Sequence, residues 1–114
     1  MKESDYTLRA EENASILVVT DLLSEYANKQ ILAAAQQRID AGFTNFVVDL
    51  SKIDYMNSVG LNFLITLKNR TDDKGGHLAV ANASNKIIQL LEMTKLRPLF
   101  NLTTSVDAAL SGLN

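Results

Sequence analysis

A short apolar run near the middle of the chain constrains the fold most. Residues 46–50 read Phe-Val-Val-Asp-Leu and lie within a predicted strand from Phe43 to Leu50. Because the run is apolar on both faces, we expect this strand to be covered on both sides of a sheet. A polar turn follows at Ser51-Lys52, and a helix continues from Leu61. This order predicts a βα unit whose loop is exposed at the carboxyl end of the strand, where open α/β sheets usually hold their sites.

The other segments predict layers around this unit. The predicted strands are Tyr6–Ala10, Ser15–Thr20, Phe43–Leu50, His77–Ala81 and Leu99–Leu102. Helices are predicted to start at Ser24, at Asn57 or Ser58, at Ser84, and at Thr104 or Ser105, since such residues cap helices. Gly42 ends the first helix. The order β-β-α-β-α-β-α-β-α predicts an α/β fold, with a mostly parallel sheet and flanking helices. With 114 residues and no linker or repeat, we expect one domain over residues 1–114.

The helix after Gly60 has an unusually wide apolar arc. Its polar side chains fill one arc: Asn62, Thr66, Asn69 and Arg70. Its apolar side chains spread over the wider remainder: Leu61, Phe63, Leu64, Ile65 and Leu67. One interpretation is a central helix packed between the sheet and its neighbouring helices. The other is that part of the helix, including Phe63 and Leu67, faces a binding partner.

Composition argues for a binding protein rather than an enzyme. The net charge is −2 with mixed signs, so direct nucleic-acid binding is not expected, and no apolar run is long enough for membrane insertion. There is no cysteine, and His77 is the only histidine, so we expect no metal and no cofactor. A catalytic triad could be drawn from Ser58, His77 and Asp49, but nothing in the spacing of these residues supports one. The lack of cysteine and of a secretion signal fits a cytoplasmic protein.

The segment Asn57-Ser58-Val59-Gly60 has the chemistry of a switch. Asn57 or Ser58 is predicted to cap the helix by accepting backbone N–H groups. An exposed capping hydroxyl is also a good phosphoacceptor, and a phosphate adds about −1.5 to −2 charges. Free N–H groups and the helix dipole would hold that phosphate. Phosphorylation is therefore expected to change what docks on the loop without unfolding the domain.

Two stretches of this chain resemble the STAS domain family, which includes the anti-sigma factor antagonists. The family pattern D-L-S-x-V-x-F-M-D-S-S-G-L-x-x-L is similar to the stretch from Asp49 to Leu64. The stretch from Leu91 to Phe100 resembles the later L-x-x-M-T-G-L-x-x-L-F. The resemblance implies an anti-sigma factor antagonist whose serine at position 58 is phosphorylated. The implied partner is an anti-sigma factor that is itself a serine kinase of the histidine-kinase-like ATPase type.

This resemblance also implies a partner-binding surface around Ser58. The resemblance and the wide apolar arc together predict that the partner-binding residues are Asp54, Tyr55, Met56, Asn57, Val59, Gly60, Phe63 and Leu67. Three positions depart from the family pattern: Asn57 replaces Asp, Val59 replaces a small residue, and Lys95 replaces Gly. The Asn57 departure favours an alternative, a non-phosphorylated STAS scaffold subunit of a lipid ABC transporter or of a signalling assembly. A further alternative is the STAS domain of an anion transporter.

Overall fold

A computed structural model describes residues 6–11, 14–21 and 24–113. The strands are β1 (Tyr6–Ala10), β2 (Ser15–Val19), β3 (Phe46–Asp49), β4 (Leu78–Ala81) and β5 (Asn101–Thr103). The helices are α1 (Glu25–Asp40), α2 (Ser58–Asp73), α3 (Asn85–Met93) and α4 (Val106–Gly112), with a 3₁₀ turn at Arg97–Leu99. This sequence of elements confirms the predicted α/β fold and its β-β-α-β-α-β-α-β-α order.

The five strands form one sheet in the order β1-β2-β3-β4-β5. Only β1 is antiparallel to its neighbour, while β2 to β5 run parallel. All four residues of β3 are buried, which confirms the prediction of a central strand covered on both faces. The strand is shorter than predicted, because Phe43 lies outside it and is 51% exposed. The Phe43 ring instead lies 4.0 Å from the Arg38 guanidinium carbon, in a cation–π contact at the end of α1.

Alternation along the strands divides the core between the two faces of the sheet. Phe46 and Val48 face a large cluster that also contains buried residues of α1, α2 and α3. Val47 faces a smaller cluster to which α4 contributes Ala109. Three helices therefore cover one face and α4 covers the other. The carboxyl ends of the parallel strands, and the loops that follow them, share one edge of the sheet.

Side-chain caps fix the helix starts at the predicted residues. Ser24, Asn57, Ser84 and Ser105 each accept a backbone N–H from the first turn of the following helix. Gly42 has φ 97°, which a residue without a Cβ adopts at little cost after a helix end. Lys95 has φ 62° after α3, so the position where the family pattern has Gly is indeed left-handed. A lysine there costs roughly 1 kcal/mol.

Helix α2 is a core helix. Leu61, Phe63, Leu64 and Leu67 are all buried, with Phe63 at 1% exposure and Leu67 at 0%. The structure therefore supports the first interpretation of the wide apolar arc, that of a central helix packed on the sheet and α1. Phe63 and Leu67 therefore do not lie on an exposed face of the folded domain.

Candidate functional site

The loop between β3 and α2 leaves the central strand at the carboxyl edge of the sheet. Leu50 extends the strand, and its N–H donates to the carbonyl of Ala81 at 2.9 Å. A tight turn then brings the N–H of Ile53 to the Leu50 carbonyl, and the Ile53 side chain is buried. Ser51 and Lys52 at the tip of this turn are exposed. The loop is therefore pinned to the core on both sides of its exposed tip.

Asn57 organises the first turn of α2. Its side-chain Oδ1 accepts the N–H of Val59 at 3.0 Å and that of Gly60 at 3.4 Å. Its backbone carbonyl accepts the N–H of Leu61 at 3.1 Å. The side chain thus accepts two of the N–H groups that a helix start leaves without intrahelical partners, and the carbonyl accepts the first hydrogen bond of the helix itself. Residues 57–61 are called the Ser58 turn below.

Ser58 is the first residue of α2, and its side chain is exposed. None of the hydrogen bonds among the described residues involves its hydroxyl group. We expected free N–H groups to hold a phosphate at this position. In the structure, Asn57 already accepts two of these groups, the N–H of Val59 and that of Gly60. To use those two donors, a phosphate on Ser58 must share them with Asn57 or displace its side chain.

The residues predicted to bind a partner fall into three groups. Asp54 and Tyr55 are exposed, and the Asp54 carboxylate pairs with Lys86 on α3 at 3.0 Å. Asn57 and Val59 are half-buried. The buried members are Met56, Gly60, Phe63 and Leu67. Because Met56 is 0% exposed, it supports the loop from below, and its side chain offers no accessible atoms to a partner.

A second polar cluster at the same edge was not anticipated from the sequence. The Asp49 carboxylate accepts the Asn82 amide at 3.0 Å and the Ser51 N–H at 2.9 Å. Burial raises the pKa of Asp49, but these hydrogen bonds, with a contribution from the Arg9 guanidinium, outweigh it and leave the pKa below its usual value. Asn82 adopts φ 61°. The carboxylate thereby links the β3–α2 loop to the β4–α3 loop.

Helices α1 and α2 enclose a groove of about 330 Å³ beside the Ser58 turn. Its lining residues are Glu25, Asn28, Lys29, Leu32, Val59, Asn62, Phe63 and Thr66. Asn28 is the unexpected member, because it is buried on α1 and donates its Nδ2 to the carbonyl of Val59 at 2.9 Å. The only sequence signal was a polar residue beside the apolar stripe of α1.

The catalytic triad drawn on paper from the sequence is not assembled. His77 directly precedes β4, and Leu78 is paired with Phe46 at the amino end of β3. Ser58 follows the carboxyl end of β3, so the length of the strand separates the two side chains. This placement removes the one catalytic arrangement that the sequence allowed on paper.

A family model described as the STAS domain matches residues 6–109 of this chain.

The chain belongs to the STAS domain family.

Solved structures with this fold include proteins of two kinds. An anti-sigma-factor antagonist (STAS) domain protein from Planctomyces limnophilus is 16% identical with a TM-score of 0.83, over 96% of this chain and 97% of that one. The unphosphorylated anti-sigma factor antagonist SpoIIAA is 17% identical with a TM-score of 0.76, over 91% and 92%. The Bacillus cell fate determinant SpoIIAA in its phosphorylated form gives a TM-score of 0.75 at 17% identity, over 96% and 99%.

The second kind is a transporter. The murine anion transporter Slc26a9 is 15% identical with a TM-score of 0.74, over 92% of this chain but only 18% of the transporter. At such identities these similarities show a shared STAS fold. Within residues 6–11, 14–21 and 24–113, no helix has the length and apolarity needed to span a membrane.

Proposed function

We propose that this STAS domain is a regulatory binding protein of the anti-sigma factor antagonist type, switched by reversible phosphorylation of Ser58. The observation that carries the proposal is the placement of the Ser58 hydroxyl. It is exposed on the first residue of α2, in a turn at the carboxyl edge of the central strand. A kinase can reach such a hydroxyl while the buried face of α2 stays packed. The similarity to SpoIIAA, which has been solved with and without phosphate, supports the proposal.

The local electrostatics suit a phosphate that changes binding rather than folding. The first turn of α2 holds no acidic residue, and its cap Asn57 is neutral. A phosphate bearing about −2 charges would meet the positive end of the helix dipole without a carboxylate beside it in the turn. It would compete with Asn57 Oδ1 for two N–H groups, which exchanges one acceptor for another. We therefore expect the phosphorylated domain to keep its fold.

The proposed partner is an anti-sigma factor that is also a serine kinase of the histidine-kinase-like ATPase type. Its docking surface would comprise the exposed Asp54, Tyr55 and Ser58, with the accessible parts of Asn57 and Val59. Unphosphorylated protein would bind the kinase and release the sigma factor, in the cytoplasm. A phosphate in that interface would need to be desolvated without a matching charge, and this would weaken the complex.

A second candidate function is a STAS scaffold that is never phosphorylated. The observation that favours it is Asn57, which stands where the family pattern has Asp. If a kinase requires that carboxylate to recognise or orient the serine, the amide would not serve it. Such a scaffold would join a lipid ABC transporter or a signalling assembly. A STAS domain within an anion transporter, as in Slc26a9, is a further form of this alternative.

Affinity purification followed by phosphosite mapping tests the proposal. The tagged protein is expected to co-purify with an anti-sigma kinase, and incubation with that kinase and ATP is expected to phosphorylate Ser58. Ser58→Ala should abolish the phosphate. Ser51→Ala is the matched control, because Ser51 is an exposed serine in the same loop and its loss should leave phosphorylation unchanged. Recovery of transporter ATPase subunits, with no kinase and no phosphate, would favour the scaffold instead.

A further inference from the structure

Asn28 joins helix α1 to the turn that carries Ser58. Its side chain is 6% exposed, and its Nδ2 donates to the carbonyl oxygen of Val59 at 2.9 Å. Val59 directly follows Ser58, and the Val59 N–H is bound by Asn57 Oδ1 at 3.0 Å. The side chains of Asn28 and Asn57 therefore bind the backbone carbonyl and the backbone N–H of Val59, respectively. The hydrogen bond from Asn28 joins α1 to the Ser58 turn.

An asparagine at position 28 nevertheless costs the domain stability in two respects. Asparagine is a poorer helix former than leucine, and Asn28 lies inside the 16-residue helix α1. Its Oδ1 is also buried with no hydrogen-bond partner among the described residues. A buried acceptor without a partner is one of the costlier defects of a folded protein. Leu32 and Phe63 line the same groove, so an apolar side chain would find apolar neighbours there.

Leucine has nearly the branched shape of asparagine and would remove both costs. A residue that breaks local rules where a simpler one would fit points to a functional constraint. We infer that Asn28 is a positioning residue for the switch, holding the first turn of α2, and with it Ser58, in the geometry that the partner binds. The hydrogen bond stands on its own, but its purpose rests on the proposed function. Without the hydrogen bond from Asn28 to Val59, the first turn of α2 is expected to fray more often.

Hydrogen exchange on the isolated protein tests the anchoring step. In Asn28→Leu, the amides of Val59, Gly60 and Leu61 are expected to exchange about five-fold faster, the factor that corresponds to one hydrogen bond of about 1 kcal/mol. Because the unpaired acceptor is also gone, the melting temperature should be unchanged or higher. Local loosening without global destabilisation is a combination that a merely structural residue would not produce.

Gln36→Leu is the matched control. Gln36 is also an α1 residue whose side-chain amide contacts α2, through Arg70 at 3.2 Å, near the other end of that helix. Its loss should leave exchange in the Ser58 turn unchanged. Asn28→Asp gives a second comparison, because it keeps the shape but turns a carboxylate oxygen toward the Val59 carbonyl. This variant should loosen the same three amides at least as much as Asn28→Leu.

Titration with the anti-sigma kinase recovered by affinity purification tests the purpose. Unphosphorylated Asn28→Leu should bind it more weakly than the wild type, by at most about five-fold, because affinity falls only in proportion to the fraction of the protein that has the binding geometry. Unchanged exchange at Val59, Gly60 and Leu61 would overturn the inference, and so would a uniform rise across α2 with a lower melting temperature. Ser58→Glu is titrated in parallel. If it binds as tightly as the wild type, the proposed function fails while the exchange result still reports on the anchor.

Discussion

Removing the cap of α2 is a sharp test of how the Ser58 turn is built. Asn57→Ala removes the Oδ1 that accepts the N–H groups of Val59 and Gly60. Such a change typically lowers the free energy of unfolding by about 1 kcal/mol, within a range of about 0.5–2 kcal/mol. For a domain of this size we expect the melting temperature to fall by roughly 4 °C. The loss should reach the whole domain, because α2 places Phe63, Leu64 and Leu67 in the main core cluster.

Asn57→Asp should act in the opposite direction. Aspartate keeps the accepting oxygen and adds a negative charge at a helix start that has no acidic residue in its first turn. The expected gain is about 0.3–1 kcal/mol at low salt, and it shrinks as salt screens the charge. The helix dipole would lower the pKa of the new carboxyl in the folded state. The gain is therefore present above about pH 4, and it is lost as the pH falls through the folded-state pKa.

Thermal and urea unfolding at low and high salt measure both variants. Ser24→Ala is the matched control, because Ser24 caps α1, which is also 16 residues long, by accepting the N–H of Ala27 at 3.2 Å. It should cost a similar amount of stability without affecting phosphorylation. The capping argument fails if Asn57→Asp melts well below the wild type or if Asn57→Ala costs nothing. With a kinase that reads the motif Asp, Asn57→Asp should also speed phosphorylation of Ser58.

Three further predictions concern the frame around the site. Phe63→Ala should cost about 3–5 kcal/mol in urea unfolding because it empties a buried site, whereas the exposed Asn62→Ala should cost under about 1 kcal/mol; equal costs would contradict the core assignment of α2. The lowered pKa of Asp49 means that its ionised form stabilises the fold above about pH 4, so the stability advantage of the wild type over Asp49→Asn should shrink as the pH falls toward 2, and a constant difference would refute it. Gly76→Ala should unfold the domain or strongly lower its melting temperature, because the new Cβ would lie 1.9 Å from the backbone oxygen of Thr44. If the variant melts like the wild type, the backbones of Gly76 and Thr44 do not lie this close together.

The sequence predicted the order of the elements because their signals are local. Short apolar runs mark the strands, and the residues that start the helices are serines and an asparagine that cap them. The residue that ends α1 is likewise visible as Gly42. The predicted strand ends were less accurate, because Phe43 is apolar and lies near the strand but packs on Arg38 instead of joining the sheet. Only tertiary packing decides between those two positions.

The position of Ser58 followed from the sequence, but the exposure of its neighbours did not. Periodicity gave α2 a wide apolar arc and could not say whether a core or a partner covers it. In the structure the sheet and α1 cover it, so Phe63 and Leu67 are core residues. The contacts of Asn28 with Val59 and of Asp49 with Asn82 join residues about thirty positions apart. A pattern within one element carries no information about such contacts.

The most direct test of the central claim compares the protein phosphorylated at Ser58 with the unphosphorylated protein in calorimetric titrations against the anti-sigma kinase. Circular dichroism should first show the same fold for both forms. The account predicts that phosphate weakens binding about a hundredfold, which corresponds to about 3 kcal/mol for a charge desolvated without a partner. Ser58→Ala should bind like the unphosphorylated wild type and stay bound in the presence of ATP. Equal affinity of the phosphorylated and unphosphorylated forms would contradict the switch.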